Sequence, residues 1–96
     1  MPSYVYARKA RRDDIVRNKL VNLLEDLDAA QALLVSGSGD AARLMARDRV
    51  ACFGSDYSSG IRHLSVQVNE LGRIELDLDY ADDLGEMRIT YAAKAR

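Results

Sequence analysis

The sequence predicts a single two-layer α+β domain with the element order β-α-α-β-β-β. The first third carries apolar residues at alternating spacings of four and three, the period of a helix that is buried on one side. The last third carries three segments in which apolar and polar residues alternate, as in antiparallel strands with one solvated face. A chain of 96 residues has the length of one domain, 1–96, and the long helix is the obvious cover for the apolar face of the sheet.

The first two elements are predicted to be a short strand and a long helix. Residues 3–8 alternate aromatic and β-branched side chains with others, which favours a strand. The helix is predicted over residues 13–35, with Asp13 as its N-cap and Gly37 beyond its end. Its apolar stripe consists of Val16, Leu20, Leu23, Leu27, Ala30 and Leu34, with Ile15 and Leu24 beside it.

A second, less regular helix is predicted over residues 40–53, with Asp40 as its N-cap. Three arginines interrupt its apolar positions: Arg43, Arg47 and Arg49. The alternative for residues 50–54 is extended chain. Cys52 has apolar neighbours, so we expect a buried core thiol. Residues 54–60 then predict a polar loop.

The last third, residues 61–93, predicts a three-stranded antiparallel meander packed on the long helix. Apolar residues should face apolar residues across the strands, and this sets the register. One face then pairs Val66 with Leu76, Leu64 with Leu78, Leu78 with Ile89, and Leu76 with Tyr91. The other face carries one row of His63, Asp79 and Arg88 and a second row of Ser65, Asp77 and Thr90.

No residue pattern predicts an enzyme. A serine, a histidine and an aspartate lie close together in the predicted sheet, but on exposed, flat strands without converging backbone amides. A ladder of cross-strand pairs explains them better. The aspartates near the end of the second strand lack the ligand loop of a calcium site, and no Cys/His cluster suits zinc. We therefore expect no catalytic residue, no metal and no cofactor.

Composition bounds the setting in which the protein works. One cysteine and one histidine suit a reducing compartment, so we expect the cytoplasm. The N-terminus lacks the apolar core of a signal peptide, and no apolar run approaches the roughly 20 residues that span a bilayer. The excess of arginine over lysine and the many alanines are typical of GC-rich bacterial or phage genes.

The charge is polarised along the chain, which leaves two candidate binding surfaces. Residues 1–20 carry a net charge of +4 and residues 21–96 a net charge of −5. The candidate protein-binding residues, on the acidic sheet face and its turns, are Glu75, Asp77, Asp79, Asp82, Asp83 and Arg88. The candidate nucleic-acid-binding residues, in a basic N-terminal arm over residues 1–12, are Tyr4, Tyr6, Arg8, Lys9, Arg11 and Arg12.

The sequence therefore favours a small non-catalytic protein-binding module. By size and fold class it suits an inhibitor or regulator of phage or mobile-element type, which occludes a surface of a host complex. The alternative is a nucleic-acid-binding protein that uses the basic arm, whose tyrosines and cations suit stacking on bases and neutralising phosphates. A homodimer is possible through the helix stripe or through an edge strand at residues 3–8 or 87–93.

Overall fold

A computed structural model of the chain describes the backbone of residues 3–83 and 85–94, and side chains from residue 15 onward within those ranges. The elements in chain order are α1 (Ser3–Val35), α2 (Gly39–Asp56), β1 (Ile61–Val68), β2 (Ile74–Asp82) and β3 (Gly85–Ala92). The three strands form one antiparallel sheet in the order β1-β2-β3. The predicted α+β class and the C-terminal meander are confirmed.

The strand predicted at residues 3–8 is wrong, because the backbone there is helical and belongs to α1. The described order is therefore α-α-β-β-β. The alternation at the N-terminus is short, and the alanine, arginine and lysine residues that follow it are good helix formers. Asp13 consequently lies inside α1 and does not cap its N-terminus.

The apolar stripe of α1 forms the centre of the core. Its buried members contact buried residues of α2 and β2, so the helix covers the sheet together with α2. Leu27 is fully buried, Leu24 and Leu34 are partly buried, and Ile15 is 48% exposed. The core comprises Val16, Leu20, Leu23, Leu27 and Ala30 of α1, Ala46, Val50 and Phe53 of α2, and Ile74, Leu76, Leu78 and Tyr80 of β2, with Ala93.

The second helix differs from the prediction at both ends. Its N-cap is Ser38, and Asp40 lies in its first turn, where the helix dipole stabilises a negative charge. It continues to Asp56, so the segment around Cys52 is helical. The predicted buried thiol is also wrong: Cys52 is exposed, because the neighbouring Phe53 occupies the core position. Gly37, with a φ of 94°, follows the end of α1 as expected.

The predicted sheet register is confirmed at every pair. Leu64 faces Leu78 and Val66 faces Leu76 across β1 and β2, and both polar rows align as expected. The β1–β2 turn closes with a hydrogen bond from the Asn69 N–H to the Arg73 carbonyl, 2.8 Å long. Gly72, with a φ of 74°, supplies the left-handed conformation that this turn requires.

Two polar side chains of α1 attach the sheet to the helices. Gln31 is 2% exposed; its Nε2 donates to the Gly72 carbonyl at 3.0 Å and its Oε1 accepts from the Ile74 N–H at 2.8 Å. The Asp28 carboxylate accepts from the Tyr91 hydroxyl at 2.8 Å and from the Lys94 N–H at 2.9 Å. Helix α1 is therefore bonded to the β1–β2 turn, to β3 and to the segment after β3.

The Tyr91–Asp28 contact predicts a loss of stability at alkaline pH. Burial, and then the hydrogen bond to Asp28, raise the pKa of Tyr91 above its ordinary value of 10.0. The folded state thus favours the protonated phenol, and this stabilisation is present below pH 10 and is lost as the pH rises through the raised pKa. In urea titrations between pH 8 and about pH 11, Tyr91→Phe should flatten the alkaline fall in unfolding free energy. An identical pH slope in the two proteins would contradict this role.

The N-terminal part of α1 extends past the rest of the fold. The described 33 residues of α1 are about 50 Å long at about 1.5 Å per residue, whereas the 18 residues of α2 span about 27 Å. Helix α2 folds back from Val35, and the far end of the sheet meets α1 near Val16 and Val21. Residues 3–14 therefore continue the helix beyond both. Neither α1 nor α2, over the described residues, has an apolar stretch that could cross a membrane.

Candidate protein-binding surface

The sheet has one face that neither helix covers, which we call the outer sheet face. Strand β2 shows why, since its residues alternate between buried and half-buried along its length. The buried ones contact the helices, so the others and their cross-strand partners point away. This outer sheet face comprises His63, Ser65 and Gln67 of β1, Glu75, Asp77 and Asp79 of β2, and Glu86, Arg88 and Thr90 of β3.

At one end of the outer sheet face, two arginines hold two carboxylates. Arg62 Nη2 lies 3.3 Å from Asp79 Oδ1 and 3.2 Å from Glu86 Oε1. Arg88 Nη2 lies 3.6 Å from Asp79 Oδ2. The hydrogen bond to Glu86 and the charge of Asp79 raise the pKa of Arg62, so its guanidinium stays charged. Opposite charges therefore stabilise the first polar row, with Arg62 reaching across all three strands.

Sequence reasoning missed Arg62. Strict alternation from His63 assigns the preceding residue to the buried face, but the register shifts between Ile61 and His63. This irregularity adds a residue to β1 and brings Arg62 to the outer sheet face. Nothing in the local sequence marks the shift. The sequence carried only an indirect signal for Arg62. The predicted sheet has two carboxylates, Asp79 and Glu86, but a single arginine to pair with them.

The second polar row is held by hydrogen bonds from hydroxyl groups, without an ion pair among the described residues. Thr90 Oγ1 donates to Asp77 Oδ1 at 2.9 Å, and Ser65 Oγ lies 3.3 Å from His63 Nε2. A catalytic triad needs the aspartate on the histidine as well, whereas Asp79 is held by the two arginines. Among the described residues, no three His, Cys, Asp or Glu side chains are grouped to hold a metal ion. The arrangement is a cross-strand ladder.

The structure brings together four of the six candidate protein-binding residues. Glu75, Asp77, Asp79 and Arg88 share the outer sheet face. Asp82 lies elsewhere: it has the strand parity of Tyr80, and its Oδ2 accepts from the Tyr80 hydroxyl at 2.8 Å. It lines a cleft against α1, and Asp83 lies exposed in the β2–β3 turn. The sequence already indicated this separation. Side chains alternate between the two faces of β2, and Asp77 and Asp82 are an odd number of residues apart.

The outer sheet face has more negative than positive charge. Its carboxylates are Glu75, Asp77, Asp79 and Glu86, and its guanidinium groups are those of Arg62 and Arg88. Because both arginines lie at one end, the other end is the acidic one. There Glu75 is half-buried and makes no ion pair with any described residue, and Asp77 accepts only from a neutral hydroxyl among the bonds described.

The candidate nucleic-acid-binding residues belong to the part of α1 beyond the body of the protein. The backbone of Tyr4, Tyr6, Arg8, Lys9, Arg11 and Arg12 is helical, while their side chains lie outside the described residues. The expectation that Arg11 and Arg12 sit just before the helix is therefore wrong. From residue 3 onward the basic arm is the first part of helix α1, and most residues around its cations are good helix formers.

Comparison with protein-family models, with curated proteins and with solved structures gives no match to this chain.

Proposed function

We propose that the chain is a small non-catalytic protein-binding module that occupies a surface of another macromolecular complex, as an inhibitor or regulator. The contact is made through the outer sheet face. One observation carries the proposal: three strands present a face that no described element covers, and two of its carboxylates, Asp77 and Asp79, are held by cross-strand bonds.

Charge selects the partner. Carboxylates held in place lose little freedom on binding, so they suit a partner surface rich in lysine and arginine. Three strands of about eight residues give a face of roughly 14 by 26 Å, or about 370 Å². A stable complex needs about 800 Å² on each side, so the contact must extend over neighbouring turns. These turns carry Glu70 and Asp83, which are exposed and also acidic.

A defined cationic probe tests the outer sheet face. We expect a lysine- and arginine-rich peptide to bind the full chain, and Glu75→Gln with Asp77→Asn to weaken binding several-fold. Fluorescence anisotropy at two salt concentrations measures it. The matched control is Glu25→Gln with Asp48→Asn, which makes the same charge change on exposed helix positions. Equal losses in the two double variants would show that net charge alone binds the peptide, and would contradict the proposal.

Nucleic-acid binding by the basic arm is the second candidate function. One observation favours it: the arm continues α1 past the body of the protein, so a duplex or single strand can approach it. Four of its cations, at Arg8, Lys9, Arg11 and Arg12, match the charge of phosphates. The net charge of −5 over residues 21–96 repels a polyanion from most of the surface, which is why protein binding is preferred.

Oligonucleotide binding separates the two functions. The protein-binding function predicts no complex with mixed-sequence DNA or RNA at physiological salt. A tight complex that weakens steeply with salt, and that Arg11→Ala with Arg12→Ala abolishes, would overturn it in favour of the second.

A homodimer has one remaining route among those predicted. The α1 stripe is used within the core, so it is not available for helix packing between copies. Residues 3–8 are helical, so they form no edge strand for pairing. Strand β3 is an edge of the sheet, so dimerisation through residues 87–93 stays a prediction.

A further inference from the structure

A groove lies between α2 and the free edge of β1, and Gln67 is the one member of the outer sheet face among its described lining residues. The groove encloses about 390 Å³. Its apolar lining consists of Ala46, Val66, Val68 and Ile74, and its cations are Arg43 and Arg47, one turn apart on α2. No other part of the described chain is hydrogen-bonded to this edge of the sheet, because β1 is its first strand.

The backbone of β1 presents unpaired groups to this groove. In an antiparallel ladder, successive residues direct their N–H and C=O groups to opposite sides of the strand. The Asn69 N–H donates towards β2, to Arg73, so residues 67, 65 and 63 also bond to β2. Residues 64, 66 and 68 then direct their backbone groups to the open edge. An extended peptide placed there can add to the sheet as a fourth strand.

The groove offers such a strand an apolar side and a cationic end. The side chains of Leu64, Val66 and Val68 belong to the inner face of the sheet and are partly buried against the core. Alternate side chains of an added strand would point to the same side, towards α2. Helix α2 runs opposite to β1: a Cβ at Gly54 would lie 3.1 Å from Leu64 Cδ2, while Arg43 and Arg47 lie beside Val66 and Val68.

Charge complementarity identifies the occupant as acidic. Both rim arginines are exposed and form no ion pair with any described residue. Among the described residues, no acidic side chain lines the groove. A second copy of β1 fits poorly, because pairing two copies edge to edge would bring the Arg43 and Arg47 cations of each copy towards one another.

We propose that this groove binds an extended acidic peptide segment of another protein. The segment adds as a strand along β1, packs alternate apolar side chains against Val66 and Val68, and places a carboxylate on Arg43 and Arg47. This goes beyond the outer sheet face, because it uses another surface and the opposite charge. Either surface can bind without the other.

The probe is a fluorescent hexapeptide in which threonine and valine alternate and glutamate replaces the last valine. We expect it to bind the full chain, and Arg43→Gln with Arg47→Gln to weaken binding about fivefold or more. Each single variant, Arg43→Gln or Arg47→Gln, is compared with Arg49→Gln, which removes one cation of α2 that does not line the groove and should change affinity little. A peptide with lysine in place of glutamate should bind more weakly still. Methylating the peptide backbone nitrogens that face β1 should abolish binding.

Amide hydrogen exchange gives the structural test. With peptide, exchange at Leu64, Val66 and Val68 should slow, whereas Ser65 and Gln67 are already bonded to β2. Three results would overturn the proposal: no binding up to millimolar peptide, equal binding of the N-methylated peptide, or equal loss in Arg49→Gln. If the protein is dimeric without peptide and those three amides are already protected, a second copy occupies the open edge of β1. That result would also overturn the proposal. The Glu75→Gln, Asp77→Asn variant should bind this peptide normally, which separates the groove from the outer sheet face.

Discussion

Replacing Leu27 by aspartate is expected to unfold the protein at 25 °C. Leu27 is fully buried at the centre of the α1 stripe, between α2 and β2. A carboxylate there has no partner, and burying it or protonating it costs several kcal/mol. A domain of 96 residues has only about 5–15 kcal/mol of stability in total. Far-UV circular dichroism and a urea titration measure the outcome.

Two further variants calibrate this result. Leu27→Ala removes the same side chain without adding charge and should cost about 2–5 kcal/mol. Leu44→Asp makes the identical change on α2, where the leucine is 70% exposed, and should stay within about 0.5 kcal/mol of the parent. A Leu27→Asp protein with a parent-like urea midpoint would refute the central position of this residue in the core.

The second large effect is expected at Gln31. Gln31→Met keeps the length of the side chain but leaves the Gly72 carbonyl and the Ile74 N–H without their partner. The buried Ile74 N–H left unsatisfied costs about 1–3 kcal/mol, whereas the Gly72 carbonyl is only partly buried and can bond to water, so the free energy of unfolding should fall by about 1–3 kcal/mol. Urea unfolding measures the loss, and hydrogen exchange at Ile74 should accelerate.

An exposed glutamine serves as the control for this prediction. Gln67→Met makes the same change on the outer sheet face, where no buried group depends on the amide. We expect it to leave stability nearly unchanged. Equal stabilities for Gln31→Met and Gln67→Met would mean that the Gln31 bonds contribute nothing to holding the turn.

Alternation predicted the sheet well, for a physical reason. When one face of a strand is buried, a slip of one residue moves every apolar side chain into water, so the register has one strongly favoured solution. The pairs Leu64–Leu78 and Leu76–Tyr91 follow from this rule alone. The period of the α1 stripe is equally informative, because its buried positions need a continuous cover.

Other parts of the fold depend on information that a local pattern lacks. The alternation at residues 3–8 suits a strand, but it competes with a helix that extends back from α1. Arg62 reaches the outer sheet face through a register shift, a backbone irregularity that alternation does not mark. Asp82 is different, because the alternation along β2 already separates it from Asp77, and its bond to Tyr80 lies within the same strand.

Gln31 could have been recognised earlier. It follows Leu27 by four residues and lies one residue beyond Ala30, so helical periodicity places it on the buried side of α1. A glutamine in that position requires hydrogen-bond partners, and turns such as residues 69–73 supply free backbone groups. The stripe therefore contains the information for a buried polar contact that the sequence analysis did not use, although it does not indicate which turn supplies the partners.

The neighbour relations in this fold have a consequence for folding kinetics. Helix α1 packs on α2, α2 on β1, β1 on β2 and β2 on β3, so most contacts join elements that are adjacent in the chain. Such a low contact order favours fast folding, because short loops close at little entropic cost. The bonds from Gln31 to Ile74 and from Asp28 to Tyr91 are different, since they join residues 43 and 63 positions apart. We therefore expect the helical pair and the meander to form early, and their docking through these bonds to limit the folding rate.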